Sequence, residues 1–139
     1  MVIGYTSGVF DLFHIGHLNI LRNSKSMCDH LIVGVSTDDL VVKYKKKNPI
    51  IPMLERIEIL RHIIYVDTVI VQEDMDKMKM WRRLKFNILF VGDDWFDTLK
   101  WQEYEKDFNK VGVRVIYFPY YKGISSTKIN QILDESRTF

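Results

Sequence analysis

Two histidines lie three residues apart in a short, glycine-bearing stretch near the start of the chain. The stretch covers residues 8–17, begins with Gly8 and contains His14 and His17. A glycine lets backbone N–H groups approach an anion closely, and the N-terminus of a following helix attracts negative charge. The imidazole N–H groups can also donate to phosphate oxygens. The pattern predicts a triphosphate pocket, with Gly16 allowing a tight turn between the histidines.

Other chemistries fit this stretch less well. Two histidines without cysteine partners leave the coordination shell of a zinc ion hard to complete, so no metal ligands are predicted. The glycine spacing matches neither the dinucleotide fingerprint G-x-G-x-x-G nor the P-loop G-x-x-x-x-G-K-[ST]. NAD binding and P-loop ATPase activity are therefore disfavoured. The remaining alternative is that both histidines only shape a turn and a helix cap.

The elements that must position these residues follow a βαβ pattern. Short apolar runs rich in β-branched residues predict strands, and the amphipathic segments between them predict helices. The predicted strands span residues 2–6, 31–36, 68–71, 88–91 and 113–118. The predicted helices span residues 17–27, 53–63, 75–84, 98–110 and 126–135. The sequence therefore predicts an α/β fold with a doubly wound, five-stranded parallel sheet covered on both faces.

In such sheets, ligands bind beyond the carboxyl ends of the strands. The loops after Thr6, Ser36, Val91 and Phe118 are therefore predicted to carry the chemistry. The basic run of residues 43–47 and two prolines, Pro49 and Pro52, lie between the second strand and the helix at residue 53.

Bulk properties narrow the class of protein. A chain of 139 residues fits one domain, residues 1–139. A net charge of +2 is too mild to indicate a nucleic-acid partner, but a small anionic ligand remains compatible with it. The single cysteine, Cys28, excludes an internal disulfide. Because no stretch resembles a targeting or membrane-spanning segment, a cytoplasmic protein without a membrane partner is expected.

Residues 8–17 resemble the first signature of the nucleotidyltransferase superfamily, with its H-x-G-H motif. Later stretches narrow the resemblance to the cytidylyltransferases, closest to those that act on glycerol 3-phosphate. These stretches are STDD at 36–39, ER at 55–56, YVD at 65–67, GDDW at 92–95 and GISSTKI at 123–129. Class I aminoacyl-tRNA synthetases share the H-x-G-H motif, but this chain is too short for their tRNA-binding parts. The resemblance covers nearly the whole chain and implies a Rossmann-like nucleotidyltransferase fold.

The resemblance implies an activity as well as a fold. CMP would pass from CTP to a phosphorylated alcohol, with glycerol phosphate as the first choice, and pyrophosphate would leave. It also implies Mg²⁺ bound with the CTP, a homodimer, and CDP-glycerol made for cell-wall or capsule polymers. Other acceptors stay open: phosphocholine, phosphoethanolamine, a phosphonate or a sugar phosphate. An adenylyltransferase and a catalytically idle nucleotide-binding domain are the remaining alternatives.

The resemblance also implies roles for individual residues. The catalytic set is His14, His17, Lys45, Lys46 and Arg56. The nucleotide-binding set is Gly8, Val9, Phe10, Asp11, Gly16, Gly92, Asp94, Trp95, Tyr120, Gly123, Ile124, Ser125 and Ser126. For the two lysines the alternative is a solvated basic run, and for Arg56 it is a surface ion pair.

Four of these assignments have an alternative or a departure from the family attached. Trp95 would either stack near the base or pack against the sheet. Asp94 is expected near the nucleoside, with a helix cap as the alternative. Ser125 and Ser126 are expected at the β and γ phosphates, with a plain serine cap as the alternative. The sequence departs from the family in having residues 120–122, Tyr-Tyr-Lys, where the family has an Arg-Thr pair. Lys122 would offer only a point charge in place of that arginine.

Overall fold

The strands form one parallel sheet. The computed structural model of the protein describes residues 1–92, 99–119 and 131–133. Within these ranges the strands are β1 (Ile3–Gly8), β2 (His30–Ser36), β3 (Thr68–Gln72), β4 (Ile88–Gly92) and β5 (Arg114–Phe118). All neighbours pair in parallel, in the order β3-β2-β1-β4-β5. The predicted doubly wound, five-stranded α/β fold is confirmed.

Helices connect the strands. They are α1 (Ile15–Ser26), α2 (Asp38–Lys45), α3 (Met53–Arg61), α4 (Lys77–Leu84) and α5 (Leu99–Lys110). Four of them match predicted helices to within two residues at each end. Of the fifth predicted helix, only residues 131–133 lie in the described ranges, and these are helical. No helix in the described part of the chain has the length and apolar character needed to span a membrane.

Helix α2 was not predicted, because its sequence reads as a polar segment leading into the basic run. Thr37 begins it: its side-chain oxygen accepts the N–H of Leu40 at 3.1 Å, as an N-cap residue does. Leu40 and Val41 are its buried residues. The helix ends at Lys45, and the C-cap residue Lys46 adopts a left-handed φ of 58°. The first three residues of the basic run, 43–45, are therefore the end of a helix rather than part of an irregular loop.

The sheet separates two helical layers. Successive strand residues point to opposite faces, so Leu89 and Phe90 belong to different core clusters. The first cluster brings α1 and α3 against the sheet through Leu21, Ile57 and Leu60. The second brings α4 and α5 against the other face through Met80, Trp101 and Phe108.

The strand order reverses direction at β1. Strands β2 and β3 lie on one side of β1, whereas β4 and β5 lie on the other. This arrangement opens a crevice between the carboxyl ends of β1 and β4, where open α/β sheets bind ligands. β1 continues two residues beyond its predicted end, since Ser7 and Gly8 still pair with Gly34 and Val35 of β2.

Candidate active site

A cavity of about 330 Å³ occupies the crevice at the carboxyl end of the sheet. Its walls come from both helical layers as well as from the ends of β1 and β4. Among the described residues, its charged and titratable lining comprises His17, Lys45, Lys77 and Lys100, together with two tyrosines, and no carboxylate. A cavity with this lining attracts anions.

The two histidines form the N-terminal cap of α1. His14 is the N-cap residue, and its Nδ1 accepts the N–H of Gly16 at 3.0 Å. In return, Nδ1 of His17 accepts the N–H of His14 at 3.2 Å. The two rings stack with their centroids 4.0 Å apart. This reciprocal capping satisfies backbone donors and fixes both rings.

The capping bonds determine where each imidazole holds its proton. Because both Nδ1 atoms accept hydrogen bonds, the proton of each neutral ring is on Nε2. Burial, reinforced by the neighbouring His14, lowers the pKa of His17 to about 4. Burial also lowers the pKa of His14. At neutral pH both rings are therefore uncharged and carry Nε2–H as their donor.

The cap and the cavity meet at His17. His17 lines the cavity, whereas His14 stacks on it from outside the lining set. Phe10 and Phe13 hold the other sides of the His17 ring, with centroids at 5.5 and 5.3 Å. The alternative that the histidines shape a helix cap is correct for their Nδ1 atoms, which both accept backbone N–H groups. Among the residues that the structure describes, none forms a hydrogen bond with Nε2 of either ring.

The loop between β1 and α1 is held in a strained conformation. Phe10 and Leu12 have positive φ angles of 55° and 51°, a left-handed region that non-glycine residues seldom adopt. Phe10 is nonetheless buried, with its ring in the core layer of α1 and α3. Such strain persists only where the surrounding structure holds it, and it concentrates at functional sites.

Asp11 is one of the groups that hold this loop. Its side chain is buried and accepts the backbone N–H groups of Ile50 and Ile51, at 2.8 and 2.9 Å. These contacts tie the histidine loop to the segment that precedes α3. Asp11 was predicted to bind nucleotide. In the structure Asp11 positions the histidine loop through these two hydrogen bonds, and it does not line the cavity.

Arg56 is the second group that holds the loop. Its side chain is 0% exposed. The guanidinium donates to the carbonyl oxygens of Ile51, Val9 and Ser36 at 2.9, 2.8 and 2.9 Å. It also forms an ion pair with Asp38 at 2.5 Å. Arg56 was predicted near the reacting phosphates, with a surface ion pair as the alternative. In the structure its guanidinium is buried rather than at the surface, and Arg56 is not among the residues that line the cavity. It joins the ends of β1 and β2 to α2 and α3.

The two lysines assigned to catalysis occupy different places. Lys45, the last residue of α2, lines the cavity, and its charge helps to lower the pKa of His17. Lys46 is the left-handed cap of the helix and does not belong to the lining. Of the two, Lys45 is the one placed to meet a ligand.

The remaining predicted residues divide into two sets. Gly8, Val9, Phe10 and Gly92 line the cavity, and Gly16 is buried in the first turn of α1. Outside the described residues lie Asp94, Trp95, Tyr120, Gly123, Ile124, Ser125 and Ser126. Their nucleotide contacts, and the departure at residues 120–122, stay predictions.

Lys77 is a lining residue that the reasoning from sequence missed. Lys77, the first residue of α4, is buried and extends to the end of β1, where its ammonium donates to the hydroxyl of Ser7. It also donates to Oε1 of Gln72 at 3.3 Å, an atom that accepts the Tyr5 hydroxyl at 2.7 Å. Burial lowers the pKa of Lys77 to about 8. A lysine at the start of an amphipathic helix usually faces solvent, so the sequence carried no signal for this contact.

The low pKa of His17 predicts an acid-sensitive fold. Folded His17 titrates at about 4, whereas an unfolded histidine titrates near 6.5. The unfolded state therefore binds more protons between these values, and stability falls as the pH drops through this window. Urea unfolding at several pH values should show a steeper loss for the wild type than for His17→Asn, which keeps an acceptor for the His14 N–H. Parallel curves for the two proteins would contradict the assignment.

Comparisons with known proteins agree with this geometry. A profile of the cytidylyltransferase-like family matches residues 5–132. The chain is 38% identical to glycerol-3-phosphate cytidylyltransferase of Bacillus subtilis strain 168, over 91% of this chain and 92% of that protein. It is 35% identical to FAD synthase of Pyrococcus abyssi, over 91% of this chain and 86% of that protein.

A solved structure supports the same fold. The lipopolysaccharide core biosynthesis protein of Thermoplasma volcanium GSS1 superposes with a TM-score of 0.71 at 28% identity. The match covers 89% of this chain and 99% of that one.

Proposed function

Because the chain belongs to the cytidylyltransferase-like family, we propose that it transfers CMP from CTP to a phosphorylated alcohol and releases pyrophosphate. Glycerol phosphate is the first candidate acceptor. One observation carries the proposal: the stacked pair His14 and His17 at the N-terminus of α1, with both Nδ1 atoms occupied and with neither Nε2–H bonded to another residue of the described ranges. Such fixed donors are suited to phosphate oxygens that gain charge during transfer.

The proposed reaction is a direct in-line displacement. An oxygen of the acceptor phosphate attacks the α-phosphorus of CTP, while the bond from that phosphorus to the bridging oxygen breaks. The electron pair of the broken bond leaves with pyrophosphate, so no enzyme nucleophile and no covalent intermediate are needed. The protein contributes position and charge.

The residues of the cap and cavity would divide this work. The Nε2–H groups of His14 and His17 would donate to the α-phosphoryl and bridging oxygens, where negative charge increases in the transition state. Lys45 and the N-terminus of α1 would neutralise charge on the departing pyrophosphate. Being neutral, the histidines need no change of protonation to act as donors at physiological pH.

In this proposal Mg²⁺ binds to the protein only together with CTP. In the described ranges there is no group of three histidine, cysteine, aspartate or glutamate side chains placed to hold a metal ion. We expect the triphosphate to provide most of the ligands of the ion. Bound there, it would offset phosphate charge.

Adenylyl transfer to FMN is the second candidate function. It is favoured by one specific observation, the 35% identity to FAD synthase of Pyrococcus abyssi. The cap geometry and the displacement chemistry would be the same in both reactions. The sequence argument for cytidine comes from the GDDW and ISSTKI stretches at residues 92–95 and 124–129.

Pyrophosphate release separates these candidates. The protein is incubated with Mg²⁺, with CTP or ATP, and with glycerol 3-phosphate, phosphocholine, phosphoethanolamine, a phosphonate, a sugar phosphate or FMN. We expect CTP with glycerol 3-phosphate to exceed ATP by about tenfold or more in kcat/KM, because polar groups placed for one base are left unpaired by another. Mixtures without an acceptor give the background rate. A preference for ATP with FMN would contradict the proposal in favour of FAD synthesis.

Three further parts of the proposal rest on the family resemblance. They are a homodimeric assembly, a cytoplasmic location, and the supply of CDP-glycerol for cell-wall or capsule polymers. Sedimentation equilibrium tests the first of them, and a monomer at micromolar concentration would contradict it.

A further inference from the structure

We propose that Lys100, in the first turn of α5, selects the acceptor by its charge: it disfavours phosphate monoesters that carry a cationic group and favours those that carry a carboxylate. This inference rests on the proposed function, since it concerns the second substrate of the same site. It places the acceptor among phosphorylated polyols and hydroxy acids, and it removes phosphocholine and phosphoethanolamine from the candidates.

Lys100 is an exposed residue of the cavity lining. It is the second residue of α5, and Trp101 and Tyr104 of the same helix also line the cavity. Burial lowers the pKa of Lys77 in α4, and the nearby positive charge of Lys100 lowers it further. No carboxylate of the described ranges forms an ion pair with Lys100. Within these ranges, a negative group of a ligand would be its first ionic partner.

The two tyrosines of the lining each have a lysine ammonium near the ring. Nζ of Lys100 lies 5.9 Å from the ring centroid of Tyr104, and Nζ of Lys43 lies 5.6 Å from that of Tyr44. Aromatic faces attract ammonium groups, including those of choline-type ligands. An acceptor ammonium group at either ring would meet a lysine of like charge. The two rings therefore do not form a cage for a cationic acceptor.

Two carboxylates lie near this part of the cavity, but their charge is offset outside it. Burial raises the pKa of Tyr104, and the nearby Asp76 and Asp74 raise it further, yet neither aspartate lines the cavity. Asp74 pairs with Lys79 at 3.0 Å. Asp76 caps α4 by accepting the N–H of Lys79 at 3.1 Å, and it lies 4.0 Å from Arg82. An acceptor ammonium group would therefore gain little from either aspartate.

The lining lysines come from three different helices. Lys45 belongs to α2, Lys77 to α4 and Lys100 to α5, and none of the described lining residues is a carboxylate. A cleft lined by charges of one sign concentrates ligands of the opposite sign and repels those of the same sign. Of these three lysines, Lys100 is the exposed one in the layer of α4 and α5, whereas Lys77 is buried. A charged group far from the reacting phosphate would meet Lys100 first.

The position of Lys100 favours the acceptor over the triphosphate. In-line displacement places the attacking and leaving oxygens on opposite sides of the α-phosphorus. His17 approaches the cavity from the layer of α1 and α3, whereas Lys100 lies beside the core residue Trp101 in the layer of α4 and α5. With the leaving pyrophosphate at the N-terminus of α1, Lys100 lies on the side from which the acceptor attacks.

Three small phosphates of similar size test the inference. Phosphoethanolamine, 2-hydroxyethyl phosphate and phosphoglycolate end in an ammonium, a hydroxyl and a carboxylate, respectively. With saturating CTP, we expect kcat/KM of the wild type to rise in that order, by about fivefold or more at each step, as the attraction between two charges in a partly solvated site predicts. Equal values for the three, or a preference for phosphoethanolamine, would overturn the inference.

Substitutions at position 100 should change this order. Lys100→Met should reduce each step to about twofold or less and leave the KM for CTP within about twofold of its wild-type value. Lys100→Glu should favour phosphoethanolamine. Lys106→Glu makes the same change of charge at an exposed residue of α5 outside the lining, and it should keep the wild-type order. The wild-type order in Lys100→Glu, or loss of the order in Lys106→Glu, would contradict the role of Lys100.

Salt separates an effect of charge from an effect of shape. Because Lys100 is exposed, dissolved ions screen its charge. The Debye length falls from about 30 Å at 0.01 M salt to about 3 Å at 1 M. Over this range the steps between the three acceptors should shrink toward those of Lys100→Met. Steps that salt leaves unchanged would assign the preference to shape and overturn the inference.

Failure of the proposed function and failure of this inference give different results. If the wild type releases no pyrophosphate with CTP and any acceptor, the proposed function fails by itself. Calorimetric titration of the same three phosphates into the protein then decides about Lys100. Tightest binding of phosphoglycolate by the wild type, with the preference lost in Lys100→Glu, supports the inference. The same affinities in both proteins, or no binding of any of the three, overturns it.

Discussion

Replacing either capping histidine by alanine is expected to reduce turnover by about a hundredfold or more, since removal of one fixed transition-state donor typically has that effect. His17→Ala removes the ring that lines the cavity, and His14→Ala removes the ring stacked on it. Single-turnover rates with saturating CTP and acceptor measure the loss. His62→Ala, at an exposed histidine that ends α3, should retain wild-type turnover.

Alanine also removes the capping bonds, which can destabilise a helix by about 1 kcal/mol. Asparagine and glutamine separate the two parts of the ring. An asparagine oxygen can take the place of Nδ1, so His17→Asn should fold normally but lose the donor. A glutamine amide can take the place of Nε2–H, so His17→Gln should recover part of the turnover. Near-normal turnover in His17→Asn would exclude the assigned role of Nε2.

Arg56→Met is expected to lower the free energy of unfolding by about 3 kcal/mol or more. The change leaves the carbonyl oxygens of Val9, Ser36 and Ile51 without their donor. Each unsatisfied buried polar group costs about 1–3 kcal/mol. Urea unfolding followed by tryptophan fluorescence measures the difference.

A matched control is available on the same helix. Arg61 ends α3 on the exposed side, and Arg61→Met should change the free energy of unfolding by less than about 0.5 kcal/mol. Equal stability of the two variants would show that the bonds of Arg56 are dispensable. Residual turnover of Arg56→Met, measured well below its melting temperature, would report how far the histidine loop depends on this anchor.

The sheet and four of its helices could be predicted from sequence because their signals are local. Each strand is a short apolar run, and each of these helices carries apolar residues at helical spacing. Helix α2 was missed because its buried residues, Leu40 and Val41, are adjacent and therefore show no helical spacing. Prolines after it favoured the assumption of an irregular segment.

The histidine cap could be foreseen for the same reason: donors and acceptors lie within a few residues of each other. Arg56 and Lys77 could not be placed in this way. Lys77 contacts Ser7, which is 70 residues away in the chain, and Arg56 contacts Val9, which is 47 residues away. Whether a cation at such a position faces solvent, the core or a ligand depends on the assembled sheet, which local periodicity does not specify.

The left-handed residues of the histidine loop lower the stability of the fold while they help to position the catalytic histidines. Phe10 and Leu12 hold conformations that cost about 1–2 kcal/mol each for a residue with a Cβ atom. Glycine at position 12 would relieve the strain, but it would also give the loop more conformations from which to misplace the histidines. Selection for thermal stability alone would therefore favour replacement of Leu12 by glycine. Persistence of leucine at position 12 under such selection would mark the strain as part of the catalytic apparatus.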